Sequence, residues 1–457
     1  MKLPKRVYVW SLIIALGGFL FGFDTAVISG AEQAIQHYWF LSSIQIGFTV
    51  SIAIIGTVIG ALTGGIPSDN LGRKKTLFFI AILYLLSSIG TAVSTNWELF
   101  LVLRFIGGIA VGVSCVVAPI YISEISPANS RGMLVALFQF NVVVGILLAY
   151  ISNYFISIWL PGNIAWRIML GILAIPSLIL LICIRFVPES PRWLILKKNN
   201  VDGAAAIFTQ INPEETNNVV RNIIDHKERT ASEKTSLWQK KYMVPIVFAG
   251  LIAFFNQVAG INAIIYYAPR IIEMTGLGKG ASLLSTVGIG LVNFIFTLVA
   301  INIIDKAGRK KLMLVGSIGL IVTLGLISRS FYLRDFGNLM VVVLLLIYIA
   351  FFAFSQGAVV WVFIAEIFPN QVRAKGQSMG SFINWATAAL IAFIFPYLAG
   401  RGDTGGTFLF FTIMMVLQLI FVIRFMPETK GRSLEQIDDS FKLKISKSSS
   451  DEKILQR

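Results

Sequence analysis

Cysteine and histidine are nearly absent from this sequence. The 457 residues contain two of each. Cys115 and Cys183 both lie in apolar runs and offer neither a disulfide framework nor a metal site. His37 and His226 are too few and too far apart for a metal cluster. Charge is scarce too: 13% of residues are charged, about half the share of an ordinary soluble protein. No nucleophile–base constellation marks an enzyme. GLGKG at 276–280 and GIG at 288–290 lack the preceding strand and the lysine placement of a phosphate loop. No cofactor and no metal are expected.

What is abundant is apolar. Hydrophobic residues make up 56% of the chain, and the mean hydropathy is +0.79. Long runs recur, for instance at 76–93, 168–184, 311–327 and 339–354. At about 1.5 Å per residue, such a run approaches the roughly 30 Å of a bilayer core as a helix. Solid runs rather than strict alternation argue against a barrel. The expected fold class is therefore an all-α integral membrane protein in lipid.

Twelve spans are expected. The first six lie near 8–30, 41–66, 76–94, 98–124, 132–157 and 166–187. The last six lie near 243–272, 281–304, 311–330, 338–366, 375–399 and 405–426. The expected organisation is a six-helix half (1–187), a cytoplasmic helical linker (188–242), a second six-helix half (243–426) and a cytoplasmic tail (427–457).

The net charge of +15 could point to nucleic acid, but its placement points elsewhere. Lys and Arg concentrate after every second span: Arg73, Lys74 and Lys75; Arg131; 185–241; Lys306 and Arg309 to Lys311; Arg373 and Lys375; and the tail after Met426. The alternate loops carry few cations. This is positive-inside patterning, which places both termini in the cytoplasm. No nucleic-acid partner is expected. MKLPKRVYVW leads into an apolar stretch without a small-residue cleavage site, so it reads as a retained first span.

The chain repeats itself. LGRKK at 71–75 returns as AGRKK at 307–311, with Asp69 and Asp305 ahead of each. Glu124 with Arg131 returns as Glu366 with Arg373, and PES at 188–190 as PET at 427–429. GFDTAVISGA at 22–31 faces GINAIIYYAP at 260–269. All four pairs are separated by about 240 residues. Two similar halves in the same orientation imply a cavity between them near the bilayer midplane. Gly56, Gly60 and Gly64, and Gly107, Gly108 and Gly112, sit at spacings that let helices approach closely in lipid.

Three features carry candidate chemistry. Asp24 and Arg104 are charges inside spans, and each costs several kcal/mol at depth unless it faces protein or water. Paired, they could be a titratable proton site or a static ion pair that only orients helices. Asp24 falls opposite Asn262 in the repeat, and an amide would suffice for polar packing alone. Second, Gln139, Asn256, Gln257, Asn262, Asn293, Asn384 and Trp385 fit mid-span positions, joined by Trp361, Tyr266 and Tyr267. Amides suit a ligand dense in hydroxyls, and indole faces suit the C–H face of a sugar ring. Each alone could be a helix–helix contact. Third, Asp69, Arg73, Glu124, Arg131, Asp305, Arg309, Glu366 and Arg373 stand at span ends, where acid and base can close a cytoplasmic gate.

Over nearly its full length the chain resembles the sugar porters of the major facilitator superfamily. The motifs that carry the resemblance are DNLGRKK (69–75), RFIGGIAVG (104–112), YISEISPANSRG (121–132), PESPRWL (188–194), NQVAGINAIIYY (256–267), DKAGRKK (305–311), WVFIAEIFPNQVRAKG (361–376) and PETKGRSLEQI (427–437). That family includes bacterial proton–xylose symporters and the animal glucose facilitators. The resemblance implies sugar contacts at Gln139, Gln257, Asn262, Asn293, Asn384 and Trp361, with Asn256 and Trp385 beside them. It implies proton coupling at Asp24 and Arg104, and gating at Tyr266 and Tyr267. In the animal facilitators the aspartate position is asparagine, so Asp24 favours symport of a monosaccharide with a proton over passive uniport. A bacterial inner-membrane monomer is expected. Three departures bear on which sugar is carried: Asn256 replaces a glutamine, SQGAVV at 355–360 lacks the usual prolines, and Ala388 replaces a polar residue.

Overall fold

The computed structural model describes residues 4–230, 237–337, 339–369 and 372–430. The tail from 431 on, including the end of PETKGRSLEQI, lies outside the described residues. So do linker residues 231–236, and Asn370 and Gln371 of the WVFIAEIFPNQVRAKG motif. Every regular element among the described residues is helical.

Twelve segments are long and apolar enough to cross a membrane. Spans 1 to 6 are Lys5–Tyr38, Ser43–Thr63, Arg73–Val93, Trp97–Glu124, Arg131–Trp159 and Gly162–Phe186. Spans 7 to 12 are Met243–Glu273, Lys279–Ala307, Arg309–Leu333, Met340–Ile367, Arg373–Gly400 and Thr404–Arg424. The protein is a multi-pass helical membrane protein.

The first span corrects the expected boundary. It continues past residue 30 to Tyr38, so the connection expected between spans near 8–30 and 41–66 shrinks to a few residues before span 2. The reason is that Glu32 and Gln36 are not solvated loop residues: both are engaged by Arg270. Span 2 then starts on a capping box, in which Ser42 and Gln45 satisfy each other's backbone amides.

Two spans are broken. Span 7 consists of Met243–Val258 and Ile261–Glu273, joined through Gly260 at φ +87. Its second part bends again at Tyr267 (φ −126, ψ 16), two residues before Pro269. Span 10 breaks at Ser355 (φ −109, ψ −89) without any proline. There the Ser355 hydroxyl donates to the Phe351 carbonyl at 2.5 Å. Gly316 of span 9 makes room, because a Cβ on it would meet Ser355 Oγ at 2.0 Å.

The chain forms two compact units. The first holds Met1–Lys234 together with Ile265–Gly290; the second holds Thr235–Ile264 and Leu291–Arg457. Span 7 is divided between them after Ile264, four residues beyond the Gly260 turn. Within the first unit, span 1 packs on span 5, span 2 on span 4, and span 3 on span 6. The pairings 1 with 5 and 3 with 6 recur in the second unit as 7 with 11 and 9 with 12. The linker supplies three helices to the first unit: Pro191–Lys198, Val201–Ile211 and Thr216–Thr230.

Glycines set the closest contacts. A Cβ on Gly108 would lie 1.9 Å from the Ala53 carbonyl oxygen, and one on Gly60 would lie 2.3 Å from that of Ile109. Spans 2 and 4 thus meet backbone to backbone, the arrangement that lets helices associate in lipid through van der Waals contact. Gly22 does the same against Val142 of span 5, at 1.9 Å.

Candidate functional site

Asp24 sits near the middle of span 1 and Arg104 within span 4, 5% and 3% exposed. Arg104 NH1 donates to Asp24 Oδ1 at 2.6 Å. The contact is single, and Arg104 Nε is buried without a partner. A guanidinium is built to grip a carboxylate with two parallel bonds. Here that capacity is only partly used.

Two turns beyond Asp24, span 1 carries a second buried acid that sequence reasoning missed. Glu32 is fully buried. Arg270 Nε donates to its Oε1 at 2.8 Å and NH2 to its Oε2 at 2.5 Å, the two-pronged geometry that Arg104 lacks. The available signal was an acid on the helix of Asp24 and a base in the repeat segment after YYAP. It was hidden because span 1 was ended at residue 30. Tyr266 and Tyr267 stand just before Arg270 and are both buried.

In the second unit four amides form one network. Gln257 Nε2 donates to Asn256 Oδ1 at 3.0 Å and to Asn384 Oδ1 at 3.1 Å. Asn262 Nδ2 donates to Gln257 Oε1 at 2.6 Å, and Asn384 Nδ2 to Asn256 Oδ1 at 3.0 Å. The break at Gly260 makes this possible, since it brings Asn262, five residues on, back to Gln257. All four are buried. Each can exchange an amide partner for a hydroxyl of either donor or acceptor sense. The other expected contacts lie outside this network. Asn293 on span 8 and Trp385 on span 11 are half-buried. Trp361 on span 10 is 38% exposed. Gln139 is exposed on span 5, in the first unit.

The charge clusters are assembled twice, once in each unit. Arg73 Nε and NH2 grip Glu124 at 2.9 and 3.1 Å, and NH1 reaches Asp69 at 3.1 Å. Arg309 repeats this with Glu366 at 3.1 and 2.6 Å and with Asp305 at 2.9 Å. The acids therefore pair with the arginines of the GRKK segments. Arg131 and Arg373 instead donate to the carbonyls of Ser123 and Phe368.

Sequence reasoning quoted PES and PET but gave their acids no role. Glu189 accepts from the backbone amides of Arg73 and Lys74 at 2.9 and 3.1 Å. Glu428 does the same for Arg309 and Lys310, also at 2.9 and 3.1 Å. Each acid caps the free amides at the start of a span, where the helix dipole favours negative charge. Burial pushes the Glu189 carboxyl above its usual range, while those amides, that of Ser190 and the Arg73 charge pull the other way. Nearby, burial and the adjacent Arg131 lower the Arg192 guanidinium, against the opposing pull of Glu124. Arg131, Arg192 and Glu124 border a cavity of about 590 Å³ whose far wall is the linker's Phe208, Ile211 and Ile223.

Each cap approaches a glycine in the left-handed region, Gly72 at φ +96 and Gly308 at φ +87. A Cβ on Gly72 would meet Glu189 Oε2 at 2.3 Å. Gly72→Ala should therefore both strain the backbone, at about 1–2 kcal/mol, and dislodge the cap. The expected outcome is a lower melting temperature in detergent than for Gly65→Ala, whose Cβ would meet nothing within 4 Å. Equal melting temperatures for the two variants would remove the cap from the account.

The model of a family described as "Sugar (and other) transporter" matches residues 10–441. The chain is 38% identical to the glucose transporter GlcP of Staphylococcus epidermidis, covering 96% of this chain and 97% of that one. It is 33% identical to the D-xylose-proton symporter of Escherichia coli K12, covering 94% and 95%. Among solved structures, the partially occluded inward-open conformation of the E. coli xylose transporter XylE matches with a TM-score of 0.84. That match has 32% identity and covers 94% of this chain and all of the other.

Proposed function

The chain belongs to this family of sugar transporters, with the fold of the major facilitator superfamily, and from that premise we propose that it imports a monosaccharide together with a proton by alternating access. It is a transport protein and not an enzyme. The substrate class proposed is a hexose or a pentose, in line with relatives named for glucose and for xylose.

The observation that carries the proton reading is the Asp24–Arg104 pair. It is buried and close, yet single-pronged, with Arg104 Nε left without a partner. With a single strong contact between them, protonating Asp24 removes most of what holds Arg104 to it. In the proposed cycle Asp24 takes a proton while open to the outside, is neutralised, and releases Arg104 enough for the site to occlude. The proton and sugar then leave on the inner side. Passive uniport, with the pair static, is the competing reading.

For sugar recognition we propose the amides Asn256, Gln257, Asn262 and Asn384, with Gln139, Asn293, Trp361 and Trp385 completing the contacts. Gating is assigned to Tyr266 and Tyr267 and to the two charge clusters. The working topology keeps the halves at 1–187 and 243–426, with the linker, tail and both termini in the cytoplasm of a bacterial inner membrane, and a monomer as the working unit.

The test is uptake into proteoliposomes from a panel of hexoses and pentoses, with and without a pH gradient. Sugar addition should alkalinise the external medium, and an imposed inward proton gradient should drive accumulation above equilibrium. Sugar entry with no pH change under any gradient would mean uniport. Gln257→Ala removes the hub of the amide network, and the lost hydroxyl contacts should raise KM about tenfold or more. An unchanged KM for every transported sugar would place the sugar elsewhere.

A further inference from the structure

The last part of span 7 is tied to span 1 by one grip. Arg270 gives Nε and NH2 to the Glu32 carboxylate, at 2.8 and 2.5 Å, and shares NH2 with Gln36 Oε1 at 2.6 Å. Gln36 is in turn fixed by donating to the Leu41 carbonyl at 3.1 Å. Span 5 holds the same segment from another side. Pro269 has no amide proton for the carbonyl four residues back, which is that of Ile265. The Tyr150 hydroxyl donates to that carbonyl instead, at 2.9 Å. All of these residues belong to the first compact unit, whereas the start of span 7 belongs to the second. The Gly260 turn precedes the tied segment, and the bend at Tyr267 lies within it.

We propose that Glu32 and Arg270 form a latch on the external side, positioning residues whose pairing sets how often the transporter opens outward. The proposal rests on the transport reading and the topology above. Its logic is electrostatic. A fully buried carboxylate gripped by two prongs of a mostly buried guanidinium holds the segment closed. When the latch opens, both charges regain water, so the closed state depends on the two being present together. Removing one partner leaves the other buried and uncompensated, which penalises closure far more than the loss of an ordinary contact. Replacing both with apolar side chains removes the charge problem and leaves packing to hold the segment. Single variants should therefore favour the outward-open state, and the double apolar variant should return towards the parent. A contact acting only through packing gives the opposite order, with the double variant worst.

The test uses the full-length protein in proteoliposomes, with Cys115 and Cys183 replaced by Ser and a probe introduced as Ala268→Cys. Ala268 is fully buried in the latched segment. Labelling by a membrane-impermeant maleimide from outside reports opening. Glu32→Gln and Arg270→Leu should each raise the labelling rate about tenfold or more. Glu32→Leu with Arg270→Leu should bring it back to within a few-fold of the parent. External KM should fall in the single variants as the outward-open share grows, while turnover falls with it. Monodisperse elution and an unchanged melting profile separate this from misfolding; if one single variant fails that check, the other carries the test. Parent-like labelling in both single variants overturns the latch. So does labelling that is fastest in the double variant. The labelling requires neither sugar nor a proton gradient. A parent protein that labels as expected but moves no sugar would thus sink the transport reading and leave the latch standing.

Discussion

Asp24→Asn should abolish uphill sugar accumulation while leaving counterflow intact. Asparagine keeps the size of the side chain and an oxygen that can accept from Arg104 NH1, so the contact at 2.6 Å can persist. What it cannot do is bind and release a proton. With one proton per sugar, a gradient of one pH unit can support about tenfold accumulation. In the variant the ratio of internal to external sugar should settle near one under the same gradient. Counterflow requires only that the loaded carrier change faces, and it should continue. The measurement is the steady-state ratio in proteoliposomes beside exchange of labelled sugar in preloaded vesicles. A variant that still concentrates sugar would move proton coupling away from Asp24. A parent that never concentrates sugar would favour passive uniport.

The second large effect is on folding. Gly108→Leu should leave almost no monodisperse protein after extraction. The Cβ alone would sit 1.9 Å from the Ala53 carbonyl oxygen and 2.7 Å from its carbon, with the rest of the side chain still to be placed. Those atoms are backbone of a neighbouring span and cannot swing aside. Spans 2 and 4 would have to separate, and with them the other glycine contacts, such as Gly60 against Ile109 and Gly112 against Thr57. In lipid there is no hydrophobic force to hold them at the larger distance. Gly132→Leu provides the comparison, since a Cβ there meets nothing within 4 Å. Size-exclusion profiles of the two variants at equal expression decide the matter. A folded Gly108→Leu protein would mean that the tight crossing is dispensable.

Much of the architecture was readable because lipid imposes strong rules. Solid apolar runs gave twelve spans, and twelve are present among the described residues. The repeat of Asp69, Arg73 and Glu124 in Asp305, Arg309 and Glu366 is visible again as two clusters of nearly the same geometry. Partner choice was less readable. Glu124 and Arg131 recur at a fixed spacing, yet Glu124 pairs with Arg73, on another span. Spacing along one helix end says little about which charge faces it from a neighbour. The amide network was legible as residue types and not as geometry, because it depends on the turn at Gly260 bringing Asn262 back to Gln257. Glu32 was lost for a simpler reason. A polar run of Glu32, Gln33 and Gln36 reads as the end of a span unless a distant arginine keeps it helical and buried, and Arg270 is 238 residues away.

The two glutamate caps have a consequence for how the chain is made. Glu189 closes the start of span 3 from 116 residues downstream, and Glu428 closes the start of span 9 from 119 downstream. A nascent chain leaving the ribosome therefore threads span 3 into the bilayer with its first amides open. It completes that helix only when Glu189, just past the end of the sixth span, has emerged. The same delay is repeated in the second half. Each cap thus acts as a finishing stitch, drawn tight only once its own six-span repeat has been synthesised.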